Sequence, residues 1–212
     1  MKNPIMYLII FLLLIVIVIF YINKPNPSKS YYGSYDVSEM PEQNDLIDQD
    51  VIKIKIRKGE LSVTLVAEYK IKAKVLSKHK YYKHWDSQIS QFDLALGWGK
   101  LIDKNLRKKI KYSQGMRFYF YKYWDIPFEP SYIAEHSANT HIIPASKNLR
   151  KALRLVRKNK FVILEGYLVD VDGVYKKGKV WWHTSRTRKD TGNGACEILY
   201  LKKMKYGEKV YE

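Results

Sequence analysis

The stretch VIKIKIRKGELSVTLVAEYKIKAKV, residues 51–75, decides the fold of this chain. Isoleucines alternate with basic residues in VIKIKIR, and after Lys58-Gly59 apolar and polar residues alternate again from Leu61 to Val75. A period of two places the apolar side chains on one face of a strand and the polar side chains on the other. The stretch therefore predicts an antiparallel hairpin whose second strand is long enough to bend and serve two sheets of a barrel or sandwich.

A two-residue loop at Lys58-Gly59 sets the predicted register of this hairpin. Ile54 then lies opposite Val63, and the pairs on either side of it are also apolar. A shift by one residue would set isoleucine opposite serine or threonine, so the hydrophobic pattern disfavours that register. The sequence therefore predicts one apolar face shared by both strands.

The rest of the domain continues with short strands and few helices. Further predicted strands are RFYFYKYW (117–124), THIIPA (140–145), KFVILEGYLVDVDG (160–173), KVWWHTS (179–185) and ACEILYLKKM (195–204). KNLRKALRLVRKN (147–159) predicts a helix after a Ser146 cap, and LIDKNLRKKI (101–110) is a second, weaker helix candidate. The predicted fold class is mainly β with two short helices, barrel-like or sandwich-like, and an OB-like barrel of the oligonucleotide-binding type is one form of it.

An apolar run precedes the strand-rich region. Residues 5–22 (IMYLIIFLLLIVIVIFYI) carry no charge. At about 1.5 Å per residue they form roughly 27 Å of helix, close to the thickness of a bilayer core. The apolar region of a signal peptide is shorter, about 7–15 residues, and ends in a small-residue cleavage site, which NKPNPSKSYYG lacks. The run therefore predicts an uncleaved single-pass anchor whose partner is the lipid bilayer, through Ile5 to Ile22.

Four segments follow from this division. Residues 1–4 are an N-terminal tail, 5–22 the transmembrane anchor, 23–50 a flexible linker and 51–212 a β-rich globular domain. The linker is predicted to be flexible because proline, serine and acidic residues interrupt the aliphatic periodicity. Basic residues flank both ends of the anchor, but a short tail usually stays inside. The domain is therefore predicted to lie on the outer side of the cytoplasmic membrane.

The formal net charge is +17. Such a charge indicates either a solvated lysine surface or a site for an anionic partner, namely lipid headgroups, an envelope polymer or a protein. Tyrosines on a basic strand can also stack on nucleobases, but a domain outside the cytoplasm makes nucleic acid an unlikely partner. The residues predicted to bind are Lys53, Lys55, Lys70, Lys72, Tyr119, Tyr121, Arg186 and Arg188.

Cys196 is the single cysteine of the chain, and two roles for it stay open. As a structural residue it packs as a small apolar side chain in the last long strand. As a nucleophile it needs a base, and His136 and His141 lie 60 and 55 residues before it. An anchored β-rich domain with this order resembles sortases in layout, which implies Cys196 as the nucleophile and His136 or His141 as the acid/base. The cysteine follows GNGA rather than a TLxT-like motif, and no arginine comes after it.

Two other site types find little support. The triplet DTG (190–192) occurs in aspartic proteases, but here it is a single copy that follows Arg188 and Lys189. Asp190 to Gly194 instead predict a tight polar turn that leads into a strand. The five histidines lack the spacing of a helical or knuckle-type metal site, so no metal and no cofactor are predicted, although convergence from separate segments stays open.

Three segments carry a resemblance to a known family. EHSANTHIIPA (135–145), TRKDTGNGACEILYL (187–201) and DLALGWG (93–99) resemble segments of an uncharacterised family of bacterial single-pass membrane-anchored proteins. No activity is attached to that family, so the resemblance implies no substrate and no cofactor. The predicted function is non-catalytic binding or scaffolding at the bacterial cell envelope, and the alternative is a Cys-dependent, sortase-like transpeptidase or hydrolase.

Overall fold

The computed structural model describes residues 4–190, 192 and 194–212, in which strands dominate. The α-helices are α1 (Pro4–Asn23), α2 (Asp86–Ile89), α3 (Ser131–Glu135) and α4 (Lys147–Leu155). The strands are β1 (Lys29–Ser30), β2 (Glu42–Asp45), β3 (Val51–Ile56), β4 (Gly59–Lys80), β5 (Phe92–Gly97), β6 (Ile110–Gly115), β7 (Phe118–Tyr123), β8 (Ser137–Pro144), β9 (Phe161–Tyr175), β10 (Gly178–Trp182), β11 (Glu197–Tyr206) and β12 (Lys209–Tyr211). These elements confirm the prediction of a mainly β domain behind an N-terminal apolar helix.

Hydrogen bonds between strands close into a ring within the described residues. β4 pairs with β5, β5 with β8, β8 with β11, β11 with β9, and β9 again with β4. Only the pairing of β8 with β11 is parallel in this ring. In chain order the ring runs 1-2-3-5-4, with α4 between the third and fourth strands, which is the connectivity of an oligonucleotide-binding (OB) fold. Connectivity therefore supports the OB-like form of the predicted class.

Apolar side chains on one face of the ring form the main core. Members of this core include Ile71, Leu94, Ile142, Leu164 and Leu199. α4 packs Leu149 and Leu153 into the same core, and each leucine buried in this way stabilises the fold by about 1.5–3 kcal/mol. The helix begins after Ser146, whose Oγ accepts a hydrogen bond from the Leu149 amide at 3.0 Å. The predicted helix and cap are thus present, although the helix ends at Leu155.

β4 and β9 are long because each serves two layers. A bulge lies between Leu65 and Ala67 in the pairing of β4 with β9, and a bulge bends and twists its strand. Beyond it, the first part of β4 pairs with β3, and the last part of β9 pairs with β10. Leu61 and Val171 from this extension pack with Ile143 and Ile198 of the ring strands in a second core. The second layer therefore covers part of the other face of the ring.

The hairpin of β3 and β4 has a register different from the predicted one. Ile54 lies opposite Leu61 instead of Val63, because the turn is formed by Arg57 and Lys58, with Lys58 at φ 69°. Gly59 belongs to the strand, where a Cβ atom would lie 2.1 Å from the carbonyl oxygen of Val174. A shift by two residues keeps every side chain on its face, so the shared apolar face is retained.

Residues 101–110 do not form the helix that their spacing suggested. The segment contains 3-10 turns at Gly99–Ile102 and Leu106–Lys108. The Asp103 carboxylate accepts a hydrogen bond from the Asn105 amide at 2.8 Å, which offers the backbone an alternative to a continuous helix. The short helices α2 and α3 were not predicted, since neither is long enough to show a helical period.

Most of the predicted linker, residues 23–50, contacts the domain in the structure. β1 adds to β12, and β2 adds to β4. Val37 is buried, and Glu39 and Glu42 form ion pairs with Lys72 and Lys70 at 2.9 and 2.7 Å. Free strand edges and opposite charges on the domain hold this segment although it lacks apolar periodicity.

α1 is the single helix in the described residues that is long and apolar enough to cross a membrane, over Ile5–Asn23, and none of it is buried against the domain. Its C-terminal end lies next to α4. The Lys151 ammonium donates a hydrogen bond to the carbonyl oxygen of Ile22, and Asn148 exchanges two hydrogen bonds of 2.8 Å with the backbone of Asn26. α4 is therefore the part of the domain beside the chain's exit from α1.

Candidate functional site

Polar side chains form a row on the ring face opposite the main core. Ser137, Asn139 and His141 alternate along β8 with residues such as Ala138 and Ile142, which face the core. Asp93 of β5 lies directly opposite His141. We refer to Asp93, Ser137, Asn139 and His141 as the polar row. In OB folds, ligands bind on this face of the second and third strands, between the loops that follow the first and fourth strands.

Asp93 and His141 form a buried acid–base pair. His141 Nδ1 lies 2.9 Å from Asp93 Oδ2, and the two side chains are 2% and 0% exposed. The contact is close but poorly aligned, so neither atom has a hydrogen-bond partner of good geometry among the described residues. Burial disfavours the imidazolium, but the nearby charge of Asp93 acts against it, and the pKa of His141 is raised above its usual value.

Arg117 connects the hairpin of β6 and β7 to the polar row. It lies in the hairpin turn at φ 68°, and its guanidinium contacts Asp86 at 2.6 Å, Asp93 at 2.7 Å and the Ser90 carbonyl oxygen at 2.9 Å. The same group lies over the ring of Tyr81, 4.1 Å from its centre. Buried charges are tolerated when they are paired in this way, and the two carboxylates are balanced when His141 is protonated.

Cys196 lies beside the polar row, immediately before β11. Because Glu197 pairs with Thr140 in the parallel ladder, Cys196 comes level with Asn139. Asn139 Nδ2 lies 3.5 Å from Cys196 Sγ and donates to the Arg117 carbonyl oxygen at 2.8 Å. The Cys196 thiol donates to the same carbonyl oxygen at 3.8 Å, and Cys196 is a further cause of the raised pKa of His141.

A cavity of about 250 Å³ opens beside Cys196. It lies between the hairpin of β6 and β7, the start of β8 and the loop that precedes β11. Its lining residues are Phe118, Tyr119, Phe120, Tyr121, Ala134, Ser137, Ala138, Thr187, Arg188, Asp190, Gly192, Ala195 and Cys196. The cavity thus has an aromatic wall, a polar end and a thiol. We call it the aromatic pocket.

The charges at the polar end of the aromatic pocket are held by neighbours. The Arg188 guanidinium contacts the carboxylate of Glu197, which is fully buried. Asp190 Oδ2 accepts a hydrogen bond from the Ser185 hydroxyl at 2.6 Å. Tyr119 OH lies 3.2 Å from Ser137 Oγ, and burial raises the pKa of Tyr119. These groups are fixed in place before any ligand enters, which favours specific recognition.

Three of the predicted binding residues, Tyr119, Tyr121 and Arg188, meet in the aromatic pocket. The other five lie elsewhere, namely Lys53, Lys55, Lys70, Lys72 and Arg186. Of these, Lys70 and Lys72 are engaged by the acidic residues of the segment that precedes β3. The lysines of the hairpin are therefore part of the surface rather than of this site.

The structure separates the two candidate histidines. His136 stacks on Tyr132, with ring centres 3.6 Å apart, whereas His141 is the histidine that interacts with Cys196. Asp93, Arg117 and Asn139 were not predicted as site residues. One signal was available for Asp93, since it is the lone charged residue in FDLALG (92–97), a strand that is buried throughout.

The turn predicted over Asp190 to Gly194 falls partly outside the described residues, because positions 191 and 193 are not among them. Gly192 and Gly194 have φ values of 83° and 90°, which are conformations that favour glycine. No group of three or more His, Cys, Asp or Glu residues that could hold a metal ion occurs within residues 4–190, 192 and 194–212.

Comparisons of the chain with protein-family models, with curated proteins and with solved structures found no match. The fold and the arrangement of the site therefore carry the functional inference.

Proposed function

We propose that this protein is a membrane-anchored binding domain of the bacterial cell envelope that holds one ring of an anionic envelope glycan in the aromatic pocket. The observation that carries the proposal is the position of that pocket. A cavity of about 250 Å³ with an aromatic wall lies on the ring face where OB folds bind their ligands.

The size and chemistry of the pocket favour a single sugar-sized ring. Drug-sized ligands occupy pockets of about 300–1,000 Å³, so this cavity takes a smaller group. Tyr119 and Tyr121 supply flat faces for stacking, and Ser137 and Asp190 supply hydrogen-bonding groups for hydroxyls or amides. A net charge of +17 attracts an anionic polymer to the domain as a whole.

A basic segment supports a position of the domain close to the membrane surface. Residues 147–160, which include α4, contain seven basic residues and no acidic residue. Lys151 and Arg154 contact Ile22 and Asn23 at the end of α1. Each lysine or arginine near an anionic bilayer contributes about 1 kcal/mol of attraction. We therefore propose that α4 lies at the lipid headgroups. The outer side of the cytoplasmic membrane is proposed for the domain on separate grounds, because a short N-terminal tail usually stays inside.

Two measurements test this placement. An alkaline phosphatase fused to the C-terminus should be active if the domain lies outside, and an inactive fusion in a stably expressed protein contradicts that orientation. Hydrogen exchange in residues 147–160 of the full-length protein should be slower in nanodiscs of anionic lipid than in nanodiscs of zwitterionic lipid. Equal exchange in the two lipids contradicts headgroup docking.

Calorimetric titration of the full-length protein in detergent micelles tests the ligand. The probe is a mixture of muropeptides, which combine acylated sugar rings with carboxylates. Tyr121→Ala should weaken binding about tenfold, since loss of one stacking contact costs about 1–3 kcal/mol. Tyr123→Ala is the matched control, because Tyr123 is on the same strand but does not line the pocket. Undetectable binding to the wild type, or equal loss in both variants, contradicts the proposal.

A further inference from the structure

We propose that Cys196 and His141 form a nucleophilic thiol site, positioned by Asp93, that cleaves an amide or ester bond of the ligand in the aromatic pocket. The inference rests on the proposed function in one respect, because it takes the occupant of that pocket as the substrate. The proposed site uses His141 rather than His136 as the base. It also includes the carboxylate of Asp93, which was not among the predicted site residues.

Strand register brings the three side chains together. Asp93 and His141 face each other across β5 and β8, and Cys196 is level with Asn139, two residues before His141 on the same strand face. Asp93 faces Nδ1 of the imidazole at 2.9 Å, so the proposal assigns the exchange of a proton with the thiol to Nε2. This order of nucleophile, imidazole and carboxylate is the arrangement that activates a weak nucleophile.

Exposure differs among the three residues in the way that this chemistry requires. Cys196 is partly exposed and lines the aromatic pocket, whereas His141 and Asp93 are buried beneath it. A ligand in the pocket can therefore reach Sγ, and the imidazole can be reached only from the side of the pocket that holds the sulfur. A cysteine with only a packing role is typically buried, whereas reactive cysteines are partly exposed.

The buried charges favour an ionised form of the pair. The Asp93 carboxylate is shared between His141 and Arg117, and Arg117 also binds Asp86. The raised pKa of His141 supports an imidazolium beside the thiol. The ring of Trp182 packs on His141 with centres 4.4 Å apart and limits its motion. An imidazolium next to the sulfur stabilises the thiolate, which is the reactive form.

The proposed reaction forms and breaks bonds in two balanced steps. In the first, His141 holds the proton of the Cys196 thiol, Sγ attacks the acyl carbon, and a C–S bond forms as the C–N or C–O bond breaks. The proton passes from His141 to the departing amine or alcohol. In the second, water attacks the thioester, His141 takes its proton, and the acid is released as Sγ recovers the proton.

Alkylation of Cys196 by iodoacetamide in the full-length micellar protein tests the site. The rate is measured by mass spectrometry from pH 5 to 9. At pH 7 His141→Gln should react about tenfold more slowly than the wild type, because it lacks the imidazole that the proposal places beside the thiol. His136→Gln is the matched control and should stay within about twofold of the wild type.

A second readout keeps the test independent of folding. p-Nitrophenyl acetate should acylate the wild type at Cys196, and Cys196→Ser should form no adduct while it melts at a similar temperature. Equal alkylation rates in the wild type and in folded His141→Gln, or labelling only after unfolding, overturn the thiol site. If muropeptide binding persists in that case, the proposed function stands alone. If the thiol is activated but muropeptides do not bind, only the proposed ligand fails.

Discussion

The carboxylate of Asp93 joins two basic side chains, with one oxygen 2.9 Å from Nδ1 of the buried His141 and the other 2.7 Å from a nitrogen of the partly buried Arg117. Arg117 belongs to the hairpin of β6 and β7, and His141 belongs to the ring. Asp93 therefore connects the wall of the aromatic pocket to the imidazole beneath it. The same contacts that fasten the hairpin also orient the base.

Protonation of His141 should make the stability of the protein depend on pH. Its folded-state pKa is raised, so the stabilisation is fully present below the unfolded pKa of about 6.5 and is lost as pH rises through the folded value. The groups that act on it are Asp93 on β5, Cys196 before β11 and, through Asp93, Arg117 and Asp86. Thermal melting at a series of pH values should show this loss in the wild type.

The variant His141→Gln removes the stabilisation that comes from protonation of His141. The difference in melting temperature between the wild type and the variant should shrink as pH increases above the unfolded pKa. His136→Gln serves as the comparison, since it leaves the buried network intact. A difference that is constant across this pH window is incompatible with a raised pKa for His141.

Arg117→Ala should destabilise the protein strongly. It leaves the buried Asp93 and the largely buried Asp86 without their cation, and removal of one partner from a buried ion pair costs about 3–5 kcal/mol. Arg186→Ala is the control, because its 3.8 Å contact with Asp170 is largely exposed and should contribute below about 1 kcal/mol. Urea unfolding measures both values, and a loss below about 1 kcal/mol for Arg117→Ala contradicts the role of this network.

Gly59→Ala should be destabilising because of the close approach of β9. The added Cβ atom would lie 2.1 Å from the Val174 carbonyl oxygen, so one backbone must move, at a cost of about 1–3 kcal/mol. Gly115→Ala makes the same chemical change on β6, where no atom lies within 4 Å of the added group. Equal melting temperatures for the two variants would show that the two strands do not pack in this register.

Replacement of Leu13 and Ile15 by lysine should abolish membrane insertion. Both residues lie in the middle of α1, and each central lysine costs about 2.5–3.5 kcal/mol on insertion scales. Fractionation after an alkaline wash measures the effect, and Lys53→Glu with Lys55→Glu in the exposed hairpin is the control for general changes. A double variant in α1 that still pellets with membranes contradicts its role as the anchor.

Local patterns were sufficient for much of the fold. Alternation in residues 51–75 predicted β3 and a long bent β4, because the side-chain period of a strand is visible over a few residues. The same pattern could not distinguish registers that differ by two, since both keep Ile54 against an apolar partner. Local sequence predicts Gly59 in the turn. The structural reason for this glycine is the close approach of Val174, which lies more than a hundred residues away in the chain and leaves no local signal.

The site was harder to predict because its members come from separate strands. Asp93, Arg117, His141 and Cys196 meet only when the ring closes, and no spacing rule relates their positions in the chain. Four candidates that the sequence indicates, Cys196, Tyr119, Tyr121 and Arg188, line the aromatic pocket. The acidic residues within the predicted linker, residues 23–50, favour flexibility on composition alone, because their partners Lys70 and Lys72 lie on another element.

Ligand protection of Cys196 is the most direct test that the aromatic pocket is the binding site. The rate of alkylation by iodoacetamide is measured in the full-length protein without muropeptides and with muropeptides at about ten times their Kd for the wild type. Occupancy of the pocket should slow alkylation of the wild type about tenfold, and Tyr121→Ala, which binds about tenfold more weakly, should keep only about twofold protection at the same ligand concentration. Muropeptides that bind with unchanged affinity while Cys196 reacts at its free rate would show that the ligand lies elsewhere.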